Sequence, residues 1–170
     1  MEPLVDTVIE DPRWQDFGLA ARADVAAAAT LAALSIGQTG LTLCLMGCDD
    51  ARIAELNAEF RAKGQATNVL SWPSEDRASE FSGEPPLPPE AGDADDPASL
   101  GDIAIAWETC AREADEQGKP IDAHVTHLIV HGLLHLLGYD HVDDDDAELM
   151  ETTETAILSS LGMADPYNVA

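Results

Sequence analysis

The chain has 170 residues with 33 acidic against 8 basic side chains, and its net charge of −25 argues against nonspecific binding to nucleic acid through a basic surface. Its length suits one domain with its own core, and its hydrophobic content of 45% argues against wholesale disorder. No apolar run approaches the roughly 18 residues that a membrane span needs, and the first residues lack the pattern of a secretory signal.

The first half of the chain carries signals for alternating strands and helices. In order these are a strand at 4–9, an Ala-rich helix from 12 to about 34, a strand at 41–46, a helix from 49 or 50 to about 63, and a strand at 68–72. The first helix is expected to begin with Asp11 as N-cap and Pro12 as its first residue, and Gly18 is a candidate break within it.

Residues 74–99 differ in kind from their surroundings. They hold five prolines and eight acidic side chains, with Arg77 as the single basic residue. This composition predicts a flexible acidic insertion, either a lid over a site or a plain surface loop. After it the pattern predicts a strand at 100–107 and helices at 108–117, 120–137 and about 143–161.

This order predicts one α/β or α+β domain over residues 1–170, with a small sheet of about four strands packed with helices. The three cysteines, Cys44, Cys48 and Cys110, are an odd number without a close pair. That usage is typical of a reducing cytoplasm and not of a disulfide framework.

The helix predicted at 120–137 carries an unusual set of histidines. All five histidines of the chain lie between residues 124 and 141, and four of them, His124, His127, His131 and His135, share one helix face. An apolar set beside them would bury this helix in the core. Histidines satisfied within a core are the alternative interpretation, in which His124 fits best, whereas His127 is a candidate for the outer shell of a site or for a cleft wall.

Three histidines have the spacing of a catalytic metal site. His131 and His135 are one helical turn apart, and a turn at Gly138 can bring back His141 as a third ligand. Three imidazoles leave one tetrahedral position open for a water molecule that the metal activates, which is the catalytic pattern for zinc. Nickel or copper could bind the same nitrogen set in vitro.

The spacing also matches the metzincin string H-E-x-x-H-x-x-G-x-x-H with one departure. Metalloproteases carry a glutamate after the first histidine as general base, and here that position is Gly132. Peptidase activity by that route is therefore disfavoured.

Residues 131–141, HGLLHLLGYDH, resemble the signature of the YbeY family of bacterial endoribonucleases and ribosomal RNA maturation factors. Residues 56–61 and 67–73 are similar to a second conserved block of that family, and residues 101–103 also fit. The resemblance covers most of residues 40–162.

This resemblance implies a single-domain α+β fold related to zincins, with a mixed sheet and a central histidine-bearing helix. It implies one Zn²⁺ per chain, held by His131, His135 and His141, and Arg61 as a functional residue near the cleft. The implied activity is cleavage of single-stranded RNA, in maturation of the 3′ end of 16S ribosomal RNA and in ribosome quality control. The implied partners are ribosomal RNA, the small ribosomal subunit and its associated proteins, in the cytoplasm and without membrane or DNA.

The guanidinium of Arg61 is suited to the charge that builds on a phosphodiester during hydrolysis. For the general base, Asp140 and the 2′-hydroxyl of the RNA stay open. Because the chain is so acidic, we expect weak affinity for naked RNA and delivery by the ribosome or a protein partner. Two alternatives stay open as well: a non-catalytic ribosome-assembly factor with a structural metal site, and another zincin-type hydrolase.

Overall fold

The computed structural model describes residues 4–61, 64–79 and 81–166, without the side chains of Phe60 and Arg61. In those ranges the chain forms four strands and six helices. In chain order they are β1 (Val5–Ile9), α1 (Pro12–Phe17), α2 (Leu19–Ala33), β2 (Leu41–Cys48), α3 (Asp50–Arg61), β3 (Val69–Pro73), β4 (Ala98–Ala106), α4 (Trp107–Gln117), α5 (Ile121–Leu136) and α6 (Asp144–Ser160).

The predicted order of elements is confirmed, with one break inside the first helix and different bounds at both ends of β4. The long first helix is broken at Gly18, whose φ of 83° ends α1 and starts α2. Residue 107 belongs to a helix and not to the strand before it, since Trp107 opens α4 and packs edge-on against Trp14. The strand also begins earlier than expected, because Ala98 already pairs with Leu41.

The four strands form one mixed sheet in the order β1-β2-β4-β3. Strand β1 is parallel to β2 and β2 is parallel to β4, whereas β3 is antiparallel to β4. The fold is therefore an α+β domain with a small mixed sheet, as the sequence predicted.

The sheet carries its main core on one face. Side chains of β2 alternate, so that Leu41, Leu43 and Leu45 are buried in the large core together with residues of α2, α5 and α6. A second, smaller core lies under α3, where Ile53 and Leu56 pack on the opposite side of β4. Both faces of the sheet are thus used, but the larger core lies under the histidine helix.

Helix α5 is central to this arrangement, because it packs against α2, α4 and α6 as well as against β3 and β4. Its position fixes the direction in which its histidines point. None of the helices in the described part of the chain is long and apolar enough to cross a membrane.

The segment between β3 and β4 is irregular but is attached to the domain at several points. Arg77 donates from Nη1 to the carbonyl oxygens of Leu100 and Leu136, at 3.2 and 2.9 Å. Ser82 donates from Oγ to Asp143 at 2.9 Å, near the start of α6. The acidic segment therefore lies alongside the end of the histidine helix, beside the turn that leads to α6.

Candidate metal centre

Three histidine rings meet at the C-terminal end of α5. The Nε2 atoms of His131 and His135 are 3.1 Å apart, since the two residues are one turn apart on the same helix. The ring of His141 lies 5.6 Å from that of His131 and 5.1 Å from that of His135, measured between centroids. One nitrogen from each ring lies within 4.8 Å of the other two.

A tight turn after α5 brings His141 to the other two histidines. Gly138 has a φ of 105°, a conformation that favours glycine, and a Cβ there would lie 2.5 Å from the carbonyl oxygen of Arg77. The backbone N–H of Tyr139 then bonds back to Leu134 at 2.9 Å, and Asp140 accepts the backbone N–H of His141 at 2.7 Å. The expected glycine turn is present, and the acidic segment packs against it.

Hydrogen bonds at the far side of two rings determine which nitrogens face the centre. His135 donates from Nδ1 to the carbonyl oxygen of Tyr139 at 3.0 Å, and a carbonyl can only accept. His131 places Nδ1 2.6 Å from a carboxylate oxygen of Glu154, and an ionised carboxylate accepts in the same way. Both Nε2 atoms therefore present lone pairs to each other.

Two lone pairs that face each other repel, and a cation between them would remove that repulsion. A proton is a poor candidate at neutral pH, because burial lowers the pKa of His135 to about 4, with a further contribution from the neighbouring rings of His131 and His141. Two imidazole nitrogens bound to one tetrahedral zinc ion lie about 3.3 Å apart, as follows from Zn–N distances of roughly 2.0–2.1 Å. The observed separation of 3.1 Å fits such a divalent metal.

Sequence reasoning missed Glu154, which contacts two of the histidines. It lies on α6, is 0% exposed, and its second oxygen is 2.8 Å from Nε2 of His127. The signal in the sequence was its helical spacing from Met150, Ile157 and Leu158, which makes it the acidic member of a buried face. A metal ligand that donates its other N–H to a carboxylate is a frequent arrangement in metalloproteins.

The two remaining histidines of α5 lie apart from the three-ring cluster. His127, His131 and Glu154 form a second group whose ligand atoms are close enough together to hold a metal ion, so the outer-shell role of His127 stays a prediction. His124 is buried and its Nε2 lies 3.0 Å from Glu113 on α4, whereas its Nδ1 has no hydrogen-bond partner among the described residues, so this core histidine is satisfied at one nitrogen.

A cavity of about 350 Å³ opens beside the cluster, and His135 and His141 form part of its wall. The opposite wall comes from the acidic segment and includes Glu75 and Asp76. Arg77 also lines it, but its guanidinium donates to backbone carbonyls. The cavity can take a small polar group next to the histidines, but its described walls do not attract an anion.

The surroundings of Gly132 are described by the structure, whereas those of the Arg61 side chain are not. Gly132 lies where α5 approaches β4 closely, and a Cβ there would be 3.2 Å from Ile103. A glutamate at this position would therefore meet the sheet, which is a physical reason against a metalloprotease base. Arg61 is the last residue of α3, and its side chain lies outside the described residues, so its role stays a prediction.

Taken together, these features define an α+β protein whose central helix ends in a histidine cluster that could hold a metal ion. The family profile described as "Endoribonuclease YbeY" matches residues 13–162. The chain belongs to the YbeY endoribonuclease family.

Individual relatives support this membership. The chain is 67% identical to "Endoribonuclease YbeY" of Cereibacter sphaeroides over 98% of this chain and 100% of that protein. It is 58% identical to the protein of the same name from Ruegeria pomeroyi, over 97% of this chain and 98% of the other. The solution structure of TM1509 from Thermotoga maritima matches with a TM-score of 0.55 and 16% identity over 96% of this chain and 99% of that one, which shows a shared fold.

Proposed function

We propose that this YbeY-family protein is a zinc-dependent endoribonuclease that hydrolyses phosphodiester bonds of single-stranded RNA. One zinc ion per chain would be held by His131, His135 and His141. The observation that carries this proposal is the pair of Nε2 lone pairs facing each other at 3.1 Å, each held in that direction by a hydrogen bond on the far side of its ring.

A bound divalent metal would supply a Lewis acid, which lowers the pKa of water toward about 7 and polarises a phosphoryl oxygen. The protein's own residues would position the substrate and the metal ligands. The cavity would receive the phosphodiester beside His135 and His141, with the metal and not the acidic wall attracting it, and the turn from Gly138 to His141 brings the third ring to the other two. Asp140 lies in the same cavity wall, where its carboxylate would take the proton from the attacking water.

Arg61 would place its guanidinium against the non-bridging oxygens of the scissile phosphate. A guanidinium donates two parallel hydrogen bonds to such oxygens and stabilises the charge that develops there. This role rests on the family resemblance of residues 56–61.

The substrate would be the 3′ region of 16S ribosomal RNA, in rRNA maturation and ribosome quality control in the cytoplasm. The net charge of −25 and the acidic cavity wall support delivery by the small ribosomal subunit or an associated protein, because electrostatic attraction to free RNA is weak. Neither membrane nor DNA enters this function.

The test compares the zinc-loaded protein with an Arg61→Ala variant that retains its metal, on single-stranded fragments of ribosomal RNA. We expect a loss of about 10²–10³-fold in cleavage rate, typical of removing one preorganised donor. Arg112→Ala is the matched control, because Arg112 is an exposed arginine that forms a loose ion pair with Asp50 at 4.0 Å. It should cleave as fast as wild type.

Equal background cleavage by wild type and Arg61→Ala would contradict the enzyme and favour a non-catalytic assembly factor. Hydrolysis of peptides that disappears on zinc removal would instead indicate a zincin-type peptidase.

A further inference from the structure

We propose that Glu154 is a positioning residue, which holds His131 in the orientation and tautomer that metal binding requires, and that His127 holds Glu154. This inference rests on the metal site proposed for His131, His135 and His141.

The contact between Glu154 and His131 is short and specific. The carboxylate oxygen Oε1 lies 2.6 Å from Nδ1 of His131, whereas Nε2 of the same ring faces His135. A neutral imidazole has one N–H and one lone pair, and its proton can sit on either nitrogen. An acceptor at Nδ1 keeps the proton there, so that the lone pair stays on Nε2 and points at the metal.

The hydrogen bond that orients His131 comes from a more distant part of the chain than the one that orients His135. His135 is held by the Tyr139 carbonyl, which belongs to the turn at the end of its own helix and is therefore close by local geometry. The ring of His131 depends on a residue 23 positions later in the chain, on α6. The packing of α6 on α5 thus completes the site.

The burial of Glu154 supports a specific role. A carboxylate that is 0% exposed destabilises the fold unless hydrogen bonds compensate its lost hydration, and an apolar residue at this position of α6 would avoid that cost. His127, whose side chain is 15% exposed, contacts the second oxygen at 2.8 Å. His127 and His131, one turn apart on α5, therefore each contact one oxygen of the Glu154 carboxylate.

The chain contains a matched control for this arrangement. His124 lies on the same helix, is also buried, and its Nε2 contacts the carboxylate of Glu113 at 3.0 Å. It belongs to neither group of close metal-ligand atoms. Removing His124 therefore breaks another histidine–carboxylate contact of α5, one with a partly exposed carboxylate, without touching His131.

The experiment measures zinc affinity by competition with a chelator, in the full-length protein, for Glu154→Met, Glu154→Gln, His127→Leu and His124→Leu. We expect Glu154→Met to weaken zinc binding about 10–100-fold, the usual effect of losing such an outer carboxylate. Glu154→Gln should bind within several-fold of wild type, because its amide oxygen still accepts from Nδ1 of His131. His127→Leu should fall between these two, and His124→Leu should lower the melting temperature with unchanged zinc affinity.

A second readout is the tautomer of His131 in metal-free wild type, from the ¹⁵N shifts of its ring. We expect the proton on Nδ1, and a ring protonated on Nε2 alone would overturn the proposal even if Glu154→Met fails to fold. Wild-type affinity in Glu154→Met, or an equal loss of affinity in His124→Leu, would also overturn it. If wild type itself binds no zinc, or if His135→Ala binds as tightly as wild type, the proposed metal site has failed instead.

Discussion

Lowering the pH should destabilise the metal-free protein through one histidine of the cluster. Burial, with help from the neighbouring rings, lowers the pKa of His135 from 6.5 to about 4 in the folded protein. The unfolded chain restores the higher pKa, so between these two values it binds more protons than the native state does. Stability is therefore lost as the pH falls from about 6.5 toward about 4, and no further loss comes from His135 below that.

The size of the effect follows from the difference between the two pKa values. Each pKa unit corresponds to about 1.4 kcal/mol, so the full difference is about 3 kcal/mol, and the steepest slope is about 1.4 kcal/mol per pH unit. Because the ring of His135 is only partly buried, we expect about 2–3 kcal/mol. That is a large part of the roughly 5–15 kcal/mol by which proteins of this kind are stable.

The assay is urea unfolding of chelator-treated protein at pH 7, 6, 5 and 4, for wild type and His135→Gln. Glutamine can still donate to the Tyr139 carbonyl but does not titrate. The many carboxylates titrate alike in both proteins, so they cancel in the difference. We expect the difference in unfolding free energy, wild type minus variant, to fall by about 2–3 kcal/mol between pH 7 and pH 4. Parallel stability curves would refute the argument.

Three further predictions follow from the packing around the site. Gly138→Ala should lower the free energy of unfolding by at least about 1–3 kcal/mol and weaken zinc binding, because its Cβ would meet the carbonyl of Arg77. Thermal melts measure the first effect and chelator competition the second. Unchanged zinc affinity would contradict the prediction. Gly132→Glu restores the metzincin string, yet we expect a lower melting temperature and no peptidase activity, since position 132 packs against β4. Burial raises the pKa of Cys48 to about 12, so a thiol reagent at pH 8 should label it at least about 100-fold more slowly in native than in urea-unfolded protein, and equal rates would show that it is accessible.

Much of the fold could be predicted because its signals are local. The N-cap at Asp11, the break at Gly18 and the apolar run at 41–46 all act within a few residues of themselves. The ends of β4 were harder to place, because the start of the strand depends on pairing with Leu41, more than fifty residues earlier. The pairing of residues that far apart leaves no periodic pattern in the local sequence.

The acidic segment, residues 74–99, also has one property that its composition predicts and one that only the structure shows. Its prolines and carboxylates correctly predict a stretch without helix or strand in its described residues before Ala98. Its attachment through Arg77 to the end of α5, and through Ser82 to Asp143, could not be predicted from composition. Those contacts place an acidic wall on the cavity.

The sequence by itself determined the central part of the candidate site. The spacing of His131 and His135 places both on one helix face, and Gly138 permits the turn that returns His141, because helical period and backbone freedom are properties of the chain over a few residues. Only the tertiary structure decided the orientation of these rings. The carboxylate of Glu154 reaches His131 because α6 packs on α5, and the direction of a lone pair depends on partners that the local sequence does not specify.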